Sequence, residues 1–194
     1  MPDTPLILAS GSVIRRKMLE DAGIPCTIIK PAVDEDALKP ALAHLPPEKQ
    51  ALALARAKAE SVSRAHPGQL VLGADQVCAL ESLILSKPLT HANAVRQLQS
   101  MQGRTHCQHS AAALYRGGEE LWSTVEPARL SMRALSDAEI EDYLRQDEPY
   151  HACGSYHYES GGKHLFSHVE GGEDVIQGLP LAALLRFLSC HPEA

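Results

Sequence analysis

Residues Leu6 to Leu19 read "LILASGSVIRRKML": an apolar run, two serines around a glycine, then two arginines and a lysine before apolar spacing resumes. Leu6 to Ala9 suits a short buried strand. Ile14, Met18, Leu19 and Ala22 recur at helical spacing, with Gly23 closing the helix and Pro25 beyond it. The segment is therefore a strand, a tight polar turn and a helix, the opening unit of an α/β fold. Such a turn leaves backbone N–H groups free at a helix start, where the helix dipole favours an anion. Ser10 and Ser12 add hydroxyls, and Arg15 and Arg16 add forked cationic donors. Two readings follow: a phosphate cradle, or a serine that caps a helix whose basic residues face water. The spacing is not that of a P-loop.

The rest of the chain extends this unit. Thr27 to Val33 reads as a second strand, followed by the acids Asp34, Glu35 and Asp36, which suit a solvated turn, or, for Asp34 and Glu35 together with Asp75, hard-oxygen ligation of Mg²⁺. Pro46-Pro47 precede a long alanine-rich helix that ends at His66-Pro67-Gly68. Leu70 to Leu72 then form an apolar run that delivers Gly73-Ala74-Asp75-Gln76 at its tip, where α/β ligand sites form. Asp75 there suits a metal ligand or a base drawing a proton from water. Thr90 caps a helix ending near Gly103, with Lys87 on its approach. Strands Thr105 to Tyr115 and Glu120 to Met132 form a hairpin about Gly117-Gly118, and Ser136 to Glu139 is a capping box for a further helix. After it, "YHACGSYHYESGGKHLFSHVEGGED" reads as short strands broken by glycine pairs. A last helix starts at about Pro180.

Composition sets bounds. A chain of 194 residues, 44% apolar, buries a full core as one domain spanning 1–194. Five scattered cysteines without C-x-x-C spacing, and no charged-then-apolar leader, point to a reduced, cytoplasmic protein. No apolar stretch is long enough for a membrane span. A net charge of −6 with 4% aromatics argues against general nucleic-acid binding, so any positive charge for an anionic ligand must be local. His106 and His109 point to opposite faces of their strand, and nothing completes a ligand set around His164 and His168. No G-x-S-x-G elbow or Cys/His pair supports a covalent nucleophile.

Taken together, "SGSVIRR", "VDE", "GADQV", "SKP" and "VIQGLPL", in this order from Leu6 to Leu185, resemble the motifs of the Maf-like nucleotide pyrophosphatases. The resemblance is greatest to the subgroup acting on 7-methyl-GTP, which has Asp-Gln where the dTTP/UTP subgroup has Asp-Thr, and a "GS...E" segment. Here these are Asp75-Gln76 and "GSYHYES", which places Glu159 at the discriminating position. Three positions depart from the pattern: Val13 for proline, Ile14 for tryptophan or arginine, and Ser86 for glycine. Tyr156 and Tyr158 are candidates for the ring lost at Ile14.

The resemblance implies an elongated, twisted mixed β-sheet flanked by helices, two lobes around a central cleft, and a homodimer. It implies hydrolysis of a nucleoside triphosphate between the α and β phosphates, with a divalent cation, Mg²⁺ or Mn²⁺, as cofactor. Asp75 would be the general base, and Glu35 with Asp75 would hold the metal. Ser10, Arg15, Arg16, Lys58 and Lys87 would bind the triphosphate, and Ile14, Gln76 and Glu159 would set the base. The substrate would be 7-methyl-GTP, cleaved to 7-methyl-GMP and pyrophosphate. The alternatives are dTTP, UTP or another modified nucleotide, or a regulator of cell division that binds nucleotide without turning it over.

Overall fold

The computed structural model describes residues 5–191. In chain order the elements are β1 (Leu6–Ala9), α1 (Val13–Asp21), β2 (Cys26–Ile28), α2 (Glu35–Leu42), α3 (Pro47–Ala65), β3 (Val71–Leu80), β4 (Leu83–Leu85) and α4 (His91–Met101). They continue with β5 (Thr105–Arg116), β6 (Glu119–Met132), α5 (Asp137–Asp147), a 3-10 turn (Gly161–Leu165), β7 (Phe166–Glu170), α6 (Glu173–Ile176) and α7 (Leu181–Cys190).

The strands form one mixed sheet in the order β2-β1-β3-β5-β6-β7, with β4 also on β3. β1 runs parallel to β2 and β3, and every other pairing is antiparallel. The fold is thus α/β, as the sequence implies, with the mixed, helix-flanked sheet that the family resemblance implies.

One consequence of the register positions the site. Along one edge of β3, β1 pairs with Val71 to Gly73 and β4 pairs with Cys78 to Leu80. The residues between, Ala74 to Val77, are paired only on the β5 side. Asp75 and Gln76 therefore lie at a seam where one neighbouring strand has ended and the other has not begun.

Separate cores pack on either side of this seam. Leu6, Leu8, Leu19, Leu72, Leu114 and Leu184 belong to one, beneath β1, α1 and α7. Leu85, Leu98, Leu130, Ile140 and Tyr156 belong to the other, around α4, α5 and β7.

Helix α3 bridges the middle of the sheet through small residues. Ala51, Ala55 and Ala59, four apart on one face, are fully buried against Val77, Ala111 and Ala113. The approach is closest at Gly73, where a Cβ would stand 2.2 Å from the Ala55 carbonyl oxygen and 2.7 Å from the Ala59 nitrogen. The glycine of "GADQV" is thus required by the helix that carries Lys58.

Three expectations are corrected. The second strand is shorter than Thr27 to Val33: β2 ends at Ile28, although the Ile29 N–H still donates to the Leu8 carbonyl at 3.1 Å. Pro31 has no N–H with which to continue the ladder. Asp34 and Glu35 do not lie in a solvated turn: the Asp34 carboxylate accepts from the Ala37 N–H at 3.0 Å and caps α2, whose first residue is Glu35. In the last third, residues 150–160 form turns rather than strands, and α6 follows β7.

Candidate active site

The polar turn after β1 is held from within. Ser12 caps α1, its hydroxyl accepting from the Arg15 N–H at 3.4 Å, and the buried Ser10 hydroxyl accepts from the Ser12 N–H at 3.2 Å. Arg15 turns back over this loop. Its guanidinium donates to Ser10 Oγ at 3.1 Å, to the Ala74 carbonyl at 3.0 Å and to the Gly178 carbonyl at 2.7 Å. It ties the turn, the β3 seam and the C-terminal "VIQGLPL" segment together. Burial lowers the Arg15 pKa, and the negative charges of Asp75 and Glu35 counter that effect.

Beside it lies the charged cluster. Lys58, on the buried face of α3, donates to Asp75 Oδ1 at 2.5 Å and pairs with Glu35 Oε1 at 2.9 Å. Lys39, one turn along α2 from Glu35, pairs with its other oxygen at 3.2 Å. Desolvation pushes the Glu35 carboxyl up, but Lys58 and then Lys39 more than reverse this and hold it down at about 2. Asp75 itself is buried. Among the described residues, no hydrogen bond holds its Oδ2.

Gln76 is fixed by its amide nitrogen, which donates to Ser110 Oγ at 2.9 Å, to the Val175 carbonyl at 3.1 Å and to the Ile176 carbonyl at 2.8 Å. Two carbonyls accept only, so the NH₂ faces α6 and Oε1 is turned away as an acceptor.

The remaining sequence candidates are more dispersed. Arg16 is exposed on α1 and pairs with Glu20 at 2.7 Å, away from the cluster. Lys87 is exposed after β4, and its charge reaches the Cys153 thiol. Ile14 packs against the core beneath α1. Glu159 is exposed in the turn region, and its charge reaches Tyr143.

Neither tyrosine stands in for the ring absent at Ile14, because Tyr156 and Tyr158 are both buried in the core. The Tyr156 hydroxyl is 2.8 Å from both His106 Nε2 and Gln108 Nε2, while the Tyr158 ring lies beneath Lys163 and beside Phe166.

Two site neighbours escape sequence reasoning. Lys39 carries an i, i+4 signal from Glu35, but only if α2 is seen as a helix, and Pro40 hides it. Cys153 carries no signal. Burial raises its thiol, Asp75 raises it further, and Lys87, Lys39 and Arg15 oppose, which places it among the site charges.

The donor set bears on a metal. Among the described residues, no group of three or more His, Cys, Asp and Glu side chains is placed to hold one. Two carboxylates, Asp75 and Glu35, do converge on a single cation, and hard oxygens of this kind suit Mg²⁺ or Mn²⁺ when substrate phosphates and water complete the shell. None of the helices is long and apolar enough to cross a membrane among the described residues.

Comparison with known proteins supplies the family. Residues 5–191 match the family model described as Maf-like protein. A Ruegeria pomeroyi protein named nucleoside triphosphate pyrophosphatase is 44% identical over 189 residues, covering 95% of both chains. Proteins of the same name from Maricaulis maris, 43% identical over 97% of each chain, and Legionella pneumophila, 36% identical over 95% of this chain and 92% of the other, agree. With a family match over nearly its whole described length, and the five motifs gathered largely about one seam, the chain belongs to the Maf-like family.

Proposed function

We propose that the protein is a nucleoside triphosphate pyrophosphatase that cleaves 7-methyl-GTP to 7-methyl-GMP and pyrophosphate. The carrying observation is the Lys58–Asp75–Glu35 cluster set against the Arg15-pinned turn at the β3 seam. Cations and hydroxyls there suit a polyphosphate, and a buried carboxylate beside them suits deprotonation of water.

In this reading the turn amides, Ser10, Arg15, Lys58 and Lys87 grip the triphosphate, with Arg16 adding charge at the periphery. Asp75 takes a proton from the attacking water as its oxygen bonds to the α phosphorus. The bond from that phosphorus to the bridging oxygen breaks, and pyrophosphate leaves with the electron pair, its charge met by the lysines and Arg15. Glu35 and Asp75 would hold a divalent cation, which supplies neutralisation of phosphate charge when bound.

The base assignment is supported by Gln76. Its outward acceptor oxygen complements the adjacent N–H donors of a guanine edge, whereas uracil and thymine flank one N–H with two carbonyls. Methylation at N7 makes guanine cationic, which an accessible carboxylate at Glu159 favours.

Phosphorus NMR of the products tests the cleavage point. Pyrophosphate with 7-methyl-GMP is expected, and orthophosphate with the nucleoside diphosphate would contradict the reading. Glu159→Gln is expected to lower the preference for 7-methyl-GTP over GTP several-fold. An unchanged ratio would remove the charge argument.

A further inference from the structure

The ammonium of Lys58 occupies the point at which both site carboxylates converge. It is 2.5 Å from Asp75 Oδ1 and 2.9 Å from Glu35 Oε1, with a side chain 8% exposed. An ammonium has three N–H donors and no acceptor, so two of its three are spent on these oxygens. Both Glu35 oxygens are already held, Oε1 by Lys58 and Oε2 by Lys39, so a divalent cation drawn to Asp75 and Glu35 would compete with Lys58 for Glu35 Oε1 even if it took Asp75 through Oδ2, and at a shorter distance, about 2.0–2.1 Å for Mg²⁺. A metal bound to those carboxylates would repel an ammonium in contact with them.

We propose that Lys58 is an exchangeable counter-ion. In the empty site it neutralises Asp75 and Glu35. When a divalent cation takes those carboxylates, the ammonium is released on its flexible four-carbon stem to the phosphates of the arriving polyphosphate. Metal loading and phosphate binding are thereby linked through one side chain. Lys39 keeps its hold on Glu35 Oε2, so the carboxylate stays ionised and oriented during the exchange. The inference rests on the reading of this cluster as a metal and triphosphate site.

The test measures Mn²⁺ binding to nucleotide-free protein by electron paramagnetic resonance of free Mn²⁺, in the wild type and in Lys58→Met. The variant is expected to bind Mn²⁺ about tenfold more tightly and inorganic tripolyphosphate about tenfold more weakly. Unchanged or weaker Mn²⁺ binding by the folded variant overturns the exchange. Because removing Lys58 takes from the buried Asp75 the ammonium that hydrogen-bonds it, folding is at risk. A second arm therefore uses wild-type protein labelled with carbon-13 at lysine Cε, with Lys58 assigned through Lys58→Arg. Its resonance is expected to shift as Mg²⁺ and tripolyphosphate saturate the site; a resonance unmoved at saturation overturns the proposal. Failure of the wild type to bind either metal with tripolyphosphate present overturns the exchange together with the site reading. Wild-type binding without the variant's gain overturns the exchange alone.

Discussion

Arg15 spends its guanidinium on two backbone carbonyls and a serine hydroxyl drawn from three segments of the chain. A lysine keeps the charge but has no fork to span those acceptors. Arg15→Lys is expected to lose about 2 kcal/mol of stability in chemical denaturation, because buried carbonyls are left unpaired, and to lower turnover as well. Wild-type stability in that variant would contradict the clamp. Part of this was legible: the first strand, turn and helix follow from Leu6 to Leu19, and Ser12 as a cap was one of two readings offered. The capping role holds. That Arg15 faces inward while Arg16 pairs with Glu20 was not legible. Adjacent residues differ by about 100° around a helix, and only the fold decides which angle meets the seam.

Among the elements, the pairing of α3 with β3 carries the site, since it brings Lys58 to Asp75 across a sequence distance of 17 residues. It depends on the alanine face of the helix and on Gly73. Gly73→Ala places a Cβ inside the helix backbone and is expected to cost about 3 kcal/mol, with activity lost alongside stability. A melting temperature within a degree or two of wild type would contradict the close approach. The long helix, the central strand, the β5–β6 hairpin and the Ser136 capping box all follow from periodicity and cap chemistry. The capping box is present with both of its bonds. Helix α2 does not follow, because Pro40 masks the pattern. Nor does the turn region, where Gly154 and Ser155 adopt left-handed backbone that local sequence does not announce for a serine.

At the scale of the whole molecule, His106 and Glu35 both contribute to the response to acid. Burial holds His106 down to about 4 from its ordinary 6.5, so the neutral ring stabilises the fold above that ordinary value and the benefit is lost as pH falls from 6.5 towards 4. Glu35, held at about 2 against an ordinary 4.5, contributes stability that is full above 4.5 and lost between 4.5 and 2. Chemical denaturation across this range is expected to show stability falling from about pH 6.5 downward, with Glu35→Gln reducing the slope only below 4.5, where Glu139 and Glu120 still contribute. A wild-type slope in that variant would contradict the Lys58–Glu35 tie.

The α/β class and the motif order are legible in the residues, and the mixed sheet follows from the family resemblance those motifs carry. The seam that gathers the motifs is not legible there, because it arises from two short strands sharing one edge of β3. The central claim is that this seam hydrolyses a nucleoside triphosphate with Asp75 as base, and its most direct test is pyrophosphate release in Mg²⁺ from 7-methyl-GTP, GTP, UTP, dTTP and CTP, with Asp75→Asn alongside. The account predicts release led by 7-methyl-GTP and a loss of about 100-fold or more in the folded Asp75→Asn protein. No release from any nucleotide, or near-normal release by Asp75→Asn, would contradict it.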